Sequence, residues 1–273
     1  MMLAVKKSIN NVKQKENPRL RGFFDFILKQ CSILIKQPIF FEKTNMSPPR
    51  IIVALDGMEI NEALHTARIL SGSVWGFKIN DLLLEAGISI IPRLRRYGYI
   101  FCDTKLHDTP QTVINSVKKL ARAGANVISV HASDKDDIKM LVAAVKNRQN
   151  SKIVGISNLT SNEKSSSKKL LQSAFNILVS QANGIVCSVS DVKILKKHHE
   201  YRHLVIITPG IRPLWWNSSE SAGKTDDQKR IATPREAFKA GADFLVLGRP
   251  ITRSENPLEA VERIKYEILK TQE

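Results

Sequence analysis

The 273-residue sequence predicts an α/β protein with a single TIM-type (β/α)8 barrel and an N-terminal extension. From Arg50 onward, short apolar runs alternate with segments of helical periodicity. The runs are apolar throughout rather than alternating in polarity, as in parallel strands that are buried on both faces. Eight such units occupy about 225 residues, which is the usual size of a TIM barrel.

The apolar runs, each bounded by polar turns, predict eight strands: Ile51–Leu55, Val74–Ile79, Tyr99–Cys102, Val127–Val130, Ile153–Ile156, Ile185–Ser188, Leu204–Ile207 and Phe244–Leu247. Apolar residues at helical spacing predict helices between them, such as Asn61–Leu70, Thr112–Ala123, Asp136–Lys146 and Thr233–Ala240. A doubly wound sheet is the alternative. Its dinucleotide-binding version needs a GxGxxG turn after the first strand, where this sequence reads Leu55-Asp56-Gly57-Met58.

The first 45 residues differ from the rest in charge. They contain nine Lys or Arg residues and three acids, and so contribute +6 of the chain's net charge of +16. Their most apolar stretch, Phe23 to Phe41, is interrupted by charged residues and by Pro38, so we expect neither a membrane span nor a secretory signal. We expect residues 1–45 to be a poorly ordered basic extension and residues 46–273 to form the barrel. An amphipathic segment that binds a membrane surface or a partner remains the alternative.

Cysteine content and charge limit the cellular setting and the ligand class. Cys31, Cys102 and Cys187 are odd in number and form no CxxC pair, which favours a reducing compartment and a cytoplasmic protein. The net positive charge suits either a nucleic acid or an anionic metabolite, and charge alone does not choose between them.

Polar residues cluster where the predicted strands end, which is where TIM barrels carry their chemistry. Asp56 follows strand 1, Lys78 ends strand 2, and Asp103 and Lys105 follow strand 3. An ammonium held between carboxylates is favoured in its protonated form, so such a lysine can donate a proton. A structural ion-pair network at the barrel mouth explains the same spacing equally well, and spacing alone defines no reaction.

Six motifs occur in order along the chain. Asp-x-Lys-x-x-Asp-x-Pro-x-Thr occupies residues 103–112, Leu-Asp follows the first strand, and a lysine ends the second. Leu-Thr-Ser follows the fifth strand, Thr-Pro-Gly-Ile-Arg the seventh and Gly-Arg-Pro-Ile-Thr the eighth. From Arg50 to the C-terminus this set resembles the orotidine 5′-phosphate decarboxylase family, in particular its bacterial single-function members. The resemblance implies decarboxylation of orotidine 5′-phosphate to UMP and CO₂, the last step of de novo pyrimidine nucleotide synthesis, with no metal and no organic cofactor.

The resemblance also implies residue roles. Lys105 would protonate C6 of the pyrimidine, Asp103 would face the departing carboxylate, and Lys78 would join this network. The implied contacts to substrate are those to the ribose (Asp56, Lys78), to the ring (Thr160) and to the phosphate (Arg212, Gln228, Gly248, Arg249). Backbone N–H groups of Gly248 and Arg249 at the start of a final helix would suit a phosphate. Asp108 and Thr112 would be lent to the partner subunit's site, which implies a homodimer.

Several positions depart from the family pattern. The family usually has Ile and Asn where this chain has Thr109 and Gln111, and Gly in place of Asn80. The loop after strand 7 carries Trp215 and Trp216, which suit a hydrophobic lid or a packing patch equally well.

The sequence leaves two alternative functions open. One is a magnesium-dependent sugar-phosphate lyase or aldolase of a related barrel, which Pro110-x-Thr112 and Leu159-Thr160 argue against. The other is a non-catalytic basic barrel that binds RNA or another polyanion. Retention of each charged site residue favours an enzyme that binds neither nucleic acid nor membrane.

Overall fold

Eight parallel strands of the described residues close into one barrel in chain order, with the last strand paired to the first. The computed structural model describes residues 50–157, 167–216 and 231–270. The strands are β1 (Arg50–Ala54), β2 (Gly76–Ile79), β3 (Tyr99–Leu106), β4 (Val127–His131), β5 (Lys152–Ile156), β6 (Gly184–Val186), β7 (Val205–Thr208) and β8 (Phe244–Leu247).

Helices alternate with the strands along the chain. They are α1 (Ile60–Ile69), α2 (Leu82–Ala86), α3 (Ile90–Leu94), α4 (Pro110–Ala123), α5 (Asp137–Asn147), α6 (Ser167–Ser180), α7 (Val189–Leu195), α8 (Pro234–Ala240), α9 (Arg249–Thr252) and α10 (Pro257–Leu269). Two short 3₁₀ helices span Gly87–Ser89 and His199–Tyr201. No helix in the described ranges combines the length and the apolar character that crossing a membrane requires.

The strands are apolar on both faces because each face meets its own core. In β1, Ile52 and Ala54 belong to the cluster that fills the barrel interior, whereas Ile51 and Val53 belong to the cluster between barrel and helices. Successive side chains of a strand point to opposite faces, so two cores require an unbroken apolar run. This is why the strand signal in the sequence is continuous.

The ends of α4 follow local sequence rules. Thr109 is its N-cap and accepts a hydrogen bond from the Thr112 N–H, and Pro110 occupies the first turn. Gly124 ends the helix at φ 103°, a left-handed conformation that glycine adopts without steric cost. The loop that enters α4 is thereby fixed at the barrel mouth.

The predicted fold class and strand order are confirmed, but several boundaries were wrong. β2 begins at Gly76 rather than at Val74. A Cβ at Gly76 would lie 2.1 Å from the Tyr99 carbonyl oxygen on β3. Ser188 lies outside β6 because its side chain caps α7. β3 extends four residues beyond Cys102, to Leu106.

Candidate active site

A cavity of about 440 Å³ opens at the carboxyl ends of the strands. This volume lies within the range of about 300–1,000 Å³ that is usual for small-molecule sites. Its described lining includes eight charged side chains: Asp56, Glu62, Lys78, Asp103, Lys105, Arg212, Arg249 and Arg253. Five are cationic and three anionic, so the described lining carries a formal charge of +2 and suits an anionic ligand.

An irregularity in β3 positions two of these side chains. β3 advances four residues, from Cys102 to Leu106, while β4 advances two, from Ile128 to Val130. Asp103 and Lys105 were predicted to follow the third strand, but they lie inside it, on this bulge. Both side chains line the cavity, as Phe101 does two residues earlier, and a bulge of this kind bends the strand that carries it.

The bulge carries one end of a chain of ionic contacts. The Lys105 Nζ lies 2.7 Å from the Asp103 Oδ2, and the Lys78 Nζ lies 3.5 Å from the same oxygen. Lys78 also bonds to the Asp56 carboxylate. Asp103 and Lys78 are 7% and 8% exposed, so these charges are largely removed from water. One buried carboxylate therefore forms ion pairs with two ammonium groups.

Burial and charge act in opposite directions on the pKa values of this network. Burial alone would raise the pKa of Asp103, but Lys78, Lys105 and hydrogen bonds from Lys105 and Ser129 outweigh it and lower that pKa. Burial alone would lower the pKa of Lys78, but Asp103 and Asp56 raise it. Asp103 is therefore held as a carboxylate and Lys78 as an ammonium.

Ser129 is a site residue that sequence reasoning missed. It lies on β4 with no exposed surface, donates to the Asp103 Oδ1 at 2.9 Å and accepts the Lys105 N–H at 2.8 Å. A signal was present, because Ser129 is a polar residue within the apolar run Val-Ile-Ser-Val.

The turn after β1 is hydrogen-bonded to a residue that follows β2. The Gly57 N–H donates to the Asp81 Oδ2 at 2.8 Å, and Gly57 has φ 71°, which favours glycine. This bond holds the turn that carries Asp56 beside Lys78. Asn80 also lines the cavity here, at the position where Gly is usual in the resembled family.

Arginines after the last two strands also line the cavity. Arg212 follows β7, and Arg249 begins the four-residue helix α9 after β8. The expectation that Gly248 and Arg249 open the final helix was wrong, because α10 is a separate helix that begins at Pro257. Arg253, which sequence reasoning did not single out, also lines the cavity.

Asp108 and Thr112 differ from the other predicted site residues in position. Both are exposed, and in the described part of the chain neither lines the cavity. The Asp108 N–H donates to the Met140 Sδ at 3.3 Å, and the Thr112 hydroxyl lies 3.0 Å from that of Thr109. Both residues thus face outward at the start of α4.

Three further expectations concern the loops and the thiols. Thr160 and Gln228 lie outside the described residues. Trp215 packs against the core, with the Arg263 guanidinium 4.2 Å from its ring centroid, which favours the packing patch over the lid. Cys102 and Cys187 are buried, and burial, with the nearby Asp103 charge, raises the pKa of Cys102 to about 12. The described residues contain no group of three or more His, Cys, Asp or Glu side chains placed to hold a metal ion.

These features define a class: a (β/α)8-barrel enzyme with a buried network of lysines and carboxylates at the carboxyl ends of its strands. Residues 49–264 match the Orotidine 5′-phosphate decarboxylase / HUMPS family, and the chain belongs to that family.

Individual relatives agree with this assignment. The chain is 36% identical over 239 residues to orotidine 5′-phosphate decarboxylase of Dichelobacter nodosus, covering 81% of this chain and 98% of the relative. It is 34% identical over 244 residues to the protein of that name from Saccharophagus degradans, covering 83% and 98%. The crystal structure of orotidine 5′-phosphate decarboxylase from Lactobacillus acidophilus is similar with a TM-score of 0.64 and 29% identity, covering 81% of this chain and 99% of that one.

Proposed function

We propose that this protein converts orotidine 5′-phosphate to UMP and CO₂ in the cytoplasm, with Lys105 as the proton donor and without a cofactor. The observation that carries the proposal is the Lys105 ammonium, held 2.7 Å from a buried carboxylate and facing a cavity of net positive charge. Membership of the family and the names of the relatives support the same reaction.

The reaction is difficult because of where its charge develops. When the C6–carboxylate bond breaks, the electron pair stays on C6 in the plane of the ring and cannot delocalise into the π system. A site that lowers this barrier needs fixed charge aimed at C6 before the bond breaks. Lys105 is such a charge, because its ammonium is held by Asp103 and by the backbone of a bulged strand.

The roles of the network follow from its charges. Lys105 stabilises the carbanion and transfers a proton from Nζ to C6, and the neutral amine then regains a proton from solvent. Asp103 orients the ammonium and lies close to where the departing carboxylate would sit. Lys78 balances the charge of Asp103 and pairs with Asp56. Lys78 and Asp56 would together contact the ribose hydroxyls.

The phosphate would bind at the arginines that follow β7 and β8. Arg212 and Arg249 line the cavity, and guanidinium groups bind phosphate oxygens in pairs of hydrogen bonds. Gln228 and the backbone of Gly248 complete the proposed phosphate site, and Thr160 contacts the pyrimidine ring. The phosphate end of the nucleotide would thus contact guanidinium groups, whereas its pyrimidine end would face Lys105 and Asp103.

The proposal includes a homodimer with shared sites. Asp108 and Thr112 are exposed and do not line the described cavity of their own chain. A partner related by twofold symmetry would receive them at its own cavity and return the same two residues. Each site would then contain the Asp103, Lys105 and Asp108 groups from two chains.

One assay tests the reaction. The purified chain is incubated with orotidine 5′-phosphate and EDTA, loss of the substrate's ultraviolet absorbance is followed, and the product is identified by chromatography. We expect UMP to form at an undiminished rate in EDTA. Turnover that requires added magnesium, or that occurs with sugar phosphates alone, would support the rival lyase. Binding of RNA without turnover would support the rival polyanion-binding barrel.

Subunit mixing tests the shared site. Lys105→Ala and Asp108→Ala proteins should each be nearly inactive alone. A mixed dimer has one site with both lesions and one with neither, so random exchange restores about a quarter of all sites. Absence of recovery, with exchange verified by native mass spectrometry, would assign Asp108 to its own subunit or outside the chemistry.

A further inference from the structure

The bulge in β3 leaves part of its backbone without the usual ladder partners. Between the Cys102–Ile128 and Leu106–Val130 pairs, β3 has two more residues than β4. Lys105 lies in this interval with φ 46°, a left-handed conformation that is costly for a residue with a side chain. A contact from a neighbouring element is therefore needed to hold the Lys105 backbone in this conformation.

The Ser129 hydroxyl provides that support from the opposing strand. The Lys105 N–H can only donate, so at 2.8 Å the Ser129 Oγ is the acceptor. The single hydrogen of the hydroxyl is then free for the Asp103 Oδ1, 2.9 Å away. Both hydrogen-bonding directions of one buried hydroxyl are therefore used, one on each residue of the pair.

The two hydrogen bonds of Ser129 use atoms of Asp103 and Lys105 that are not part of their direct ion pair. Lys105 approaches Asp103 through Oδ2, whereas Ser129 binds Oδ1. Ser129 fixes the rotation of the carboxylate, and through the Lys105 N–H it fixes the backbone from which the ammonium extends. The position of the Lys105 Nζ relative to Asp103 is thereby set at both ends.

We propose that Ser129 is a positioning residue, whose hydroxyl sets the Lys105 side chain against Asp103 by bridging the Lys105 N–H and the Asp103 carboxylate. For catalysis, the inference rests on the function proposed above. Ser129 is not part of the described cavity lining, so it acts through Lys105 and Asp103 rather than on substrate. Its loss should slow the chemical step and leave substrate binding nearly intact.

The test compares three substitutions. Ser129→Ala removes both bonds, and Ser129→Thr keeps the hydroxyl on a residue type that strands favour. The matched control is Ser151→Ala, since Ser151 is also a buried serine and donates to the Ala125 carbonyl at 2.6 Å, before β5 at the other end of the barrel. The control removes the same group from the core and leaves the site untouched.

In Ser129→Ala we expect kcat to fall about 10- to 100-fold, since hydrogen bonds to charged groups are the stronger ones, while KM changes less than about threefold. Ser129→Thr should recover most of the loss, and Ser151→Ala should match wild type in kcat. A Ser129→Ala protein with wild-type kcat, or equal losses in the Ala and Thr variants, would overturn the inference. If Ser129→Ala does not fold, Ser129→Cys, with its weaker S–H donor, takes its place and should show an intermediate loss of kcat.

Hydrogen exchange at the Lys105 amide, followed by ¹⁵N NMR, makes the test independent of turnover. We expect exchange to be at least about tenfold faster in Ser129→Ala than in wild type and Ser129→Thr. Unchanged protection would overturn the bridge even in an active enzyme. A wild-type protein that leaves orotidine 5′-phosphate unchanged would refute the proposed function, and the exchange rates would still decide whether Ser129 holds Lys105.

Discussion

Replacing Asp103 with asparagine should destabilise the folded protein at neutral pH. The substitution keeps the size of the side chain but removes the negative charge between the two lysines. At an effective dielectric constant of about 20, contacts of 2.7 Å and 3.5 Å correspond to attractions of about 6 and about 5 kcal/mol before desolvation. Much of this is offset by the cost of burying the charges, and removing one partner of a buried ion pair typically costs about 3–5 kcal/mol. We expect Asp103→Asn to lose about that much free energy of unfolding.

The pH dependence of this loss has a defined sign. The pKa of Asp103 is lowered from the ordinary value of 3.8 by folding, so its carboxylate stabilises the folded state above that pH. The stabilisation is lost as the pH falls from the unfolded pKa through the folded one. The difference between wild type and Asp103→Asn should therefore be constant near neutral pH and shrink below about pH 4.

Urea unfolding at a series of pH values measures this difference. The control is Asp136→Asn, because Asp136 is 97% exposed and its ion pair with Lys139 is a long surface contact of 3.9 Å. That variant should unfold at the wild-type midpoint. An Asp103→Asn protein as stable as wild type at pH 7, or a difference that grows as the pH falls, would refute the reasoning.

Three further outcomes are expected. Arg249→Ala should lower kcat/KM for orotidine 5′-phosphate about 100-fold, while wild type and variant should act equally on orotidine, which has no phosphate; an equal loss on both substrates would contradict the phosphate assignment. Deletion of residues 1–45 should leave kcat/KM and Tm unchanged, since the family match begins at residue 49; a barrel that is inactive without them would show that they belong to the enzyme. Lys105→Gly should be about 1 kcal/mol more stable than Lys105→Ala in urea unfolding, because glycine tolerates φ 46°; equal stability would remove the claim of strain.

The strand order of the barrel was predictable because its signal is local. Each strand faces two cores, so its residues are apolar without interruption, and the turns between strands and helices are polar. The site residues at strand ends follow from the same pattern once the strands are parallel, because all carboxyl ends then meet at one mouth. Asp56, Lys78 and Arg249 were found in this way.

The β3 bulge was not predictable from the same signal. In Tyr-Ile-Phe-Cys-Asp-Thr-Lys-Leu the apolar run ends at Cys102, so periodicity ends the strand there. The extension to Leu106 depends on pairing with Val130 and on the hydroxyl of Ser129, which are contacts made in three dimensions. Sequence therefore identified Asp103 and Lys105, but not the bulged backbone of β3 or Ser129 on β4, which position them.

The most direct test of the central claim is UMP formation from orotidine 5′-phosphate by wild type and Lys105→Ala, each in EDTA. UMP binding, measured by calorimetry, serves as the control that the site is intact. We expect wild type to turn over and Lys105→Ala to bind UMP but to lose at least about 10³-fold in rate, because the proton donor and the cation opposite C6 are both removed. A Lys105→Ala protein that retains more than about a tenth of the wild-type rate, equivalent to roughly 1.4 kcal/mol of barrier, would contradict the account.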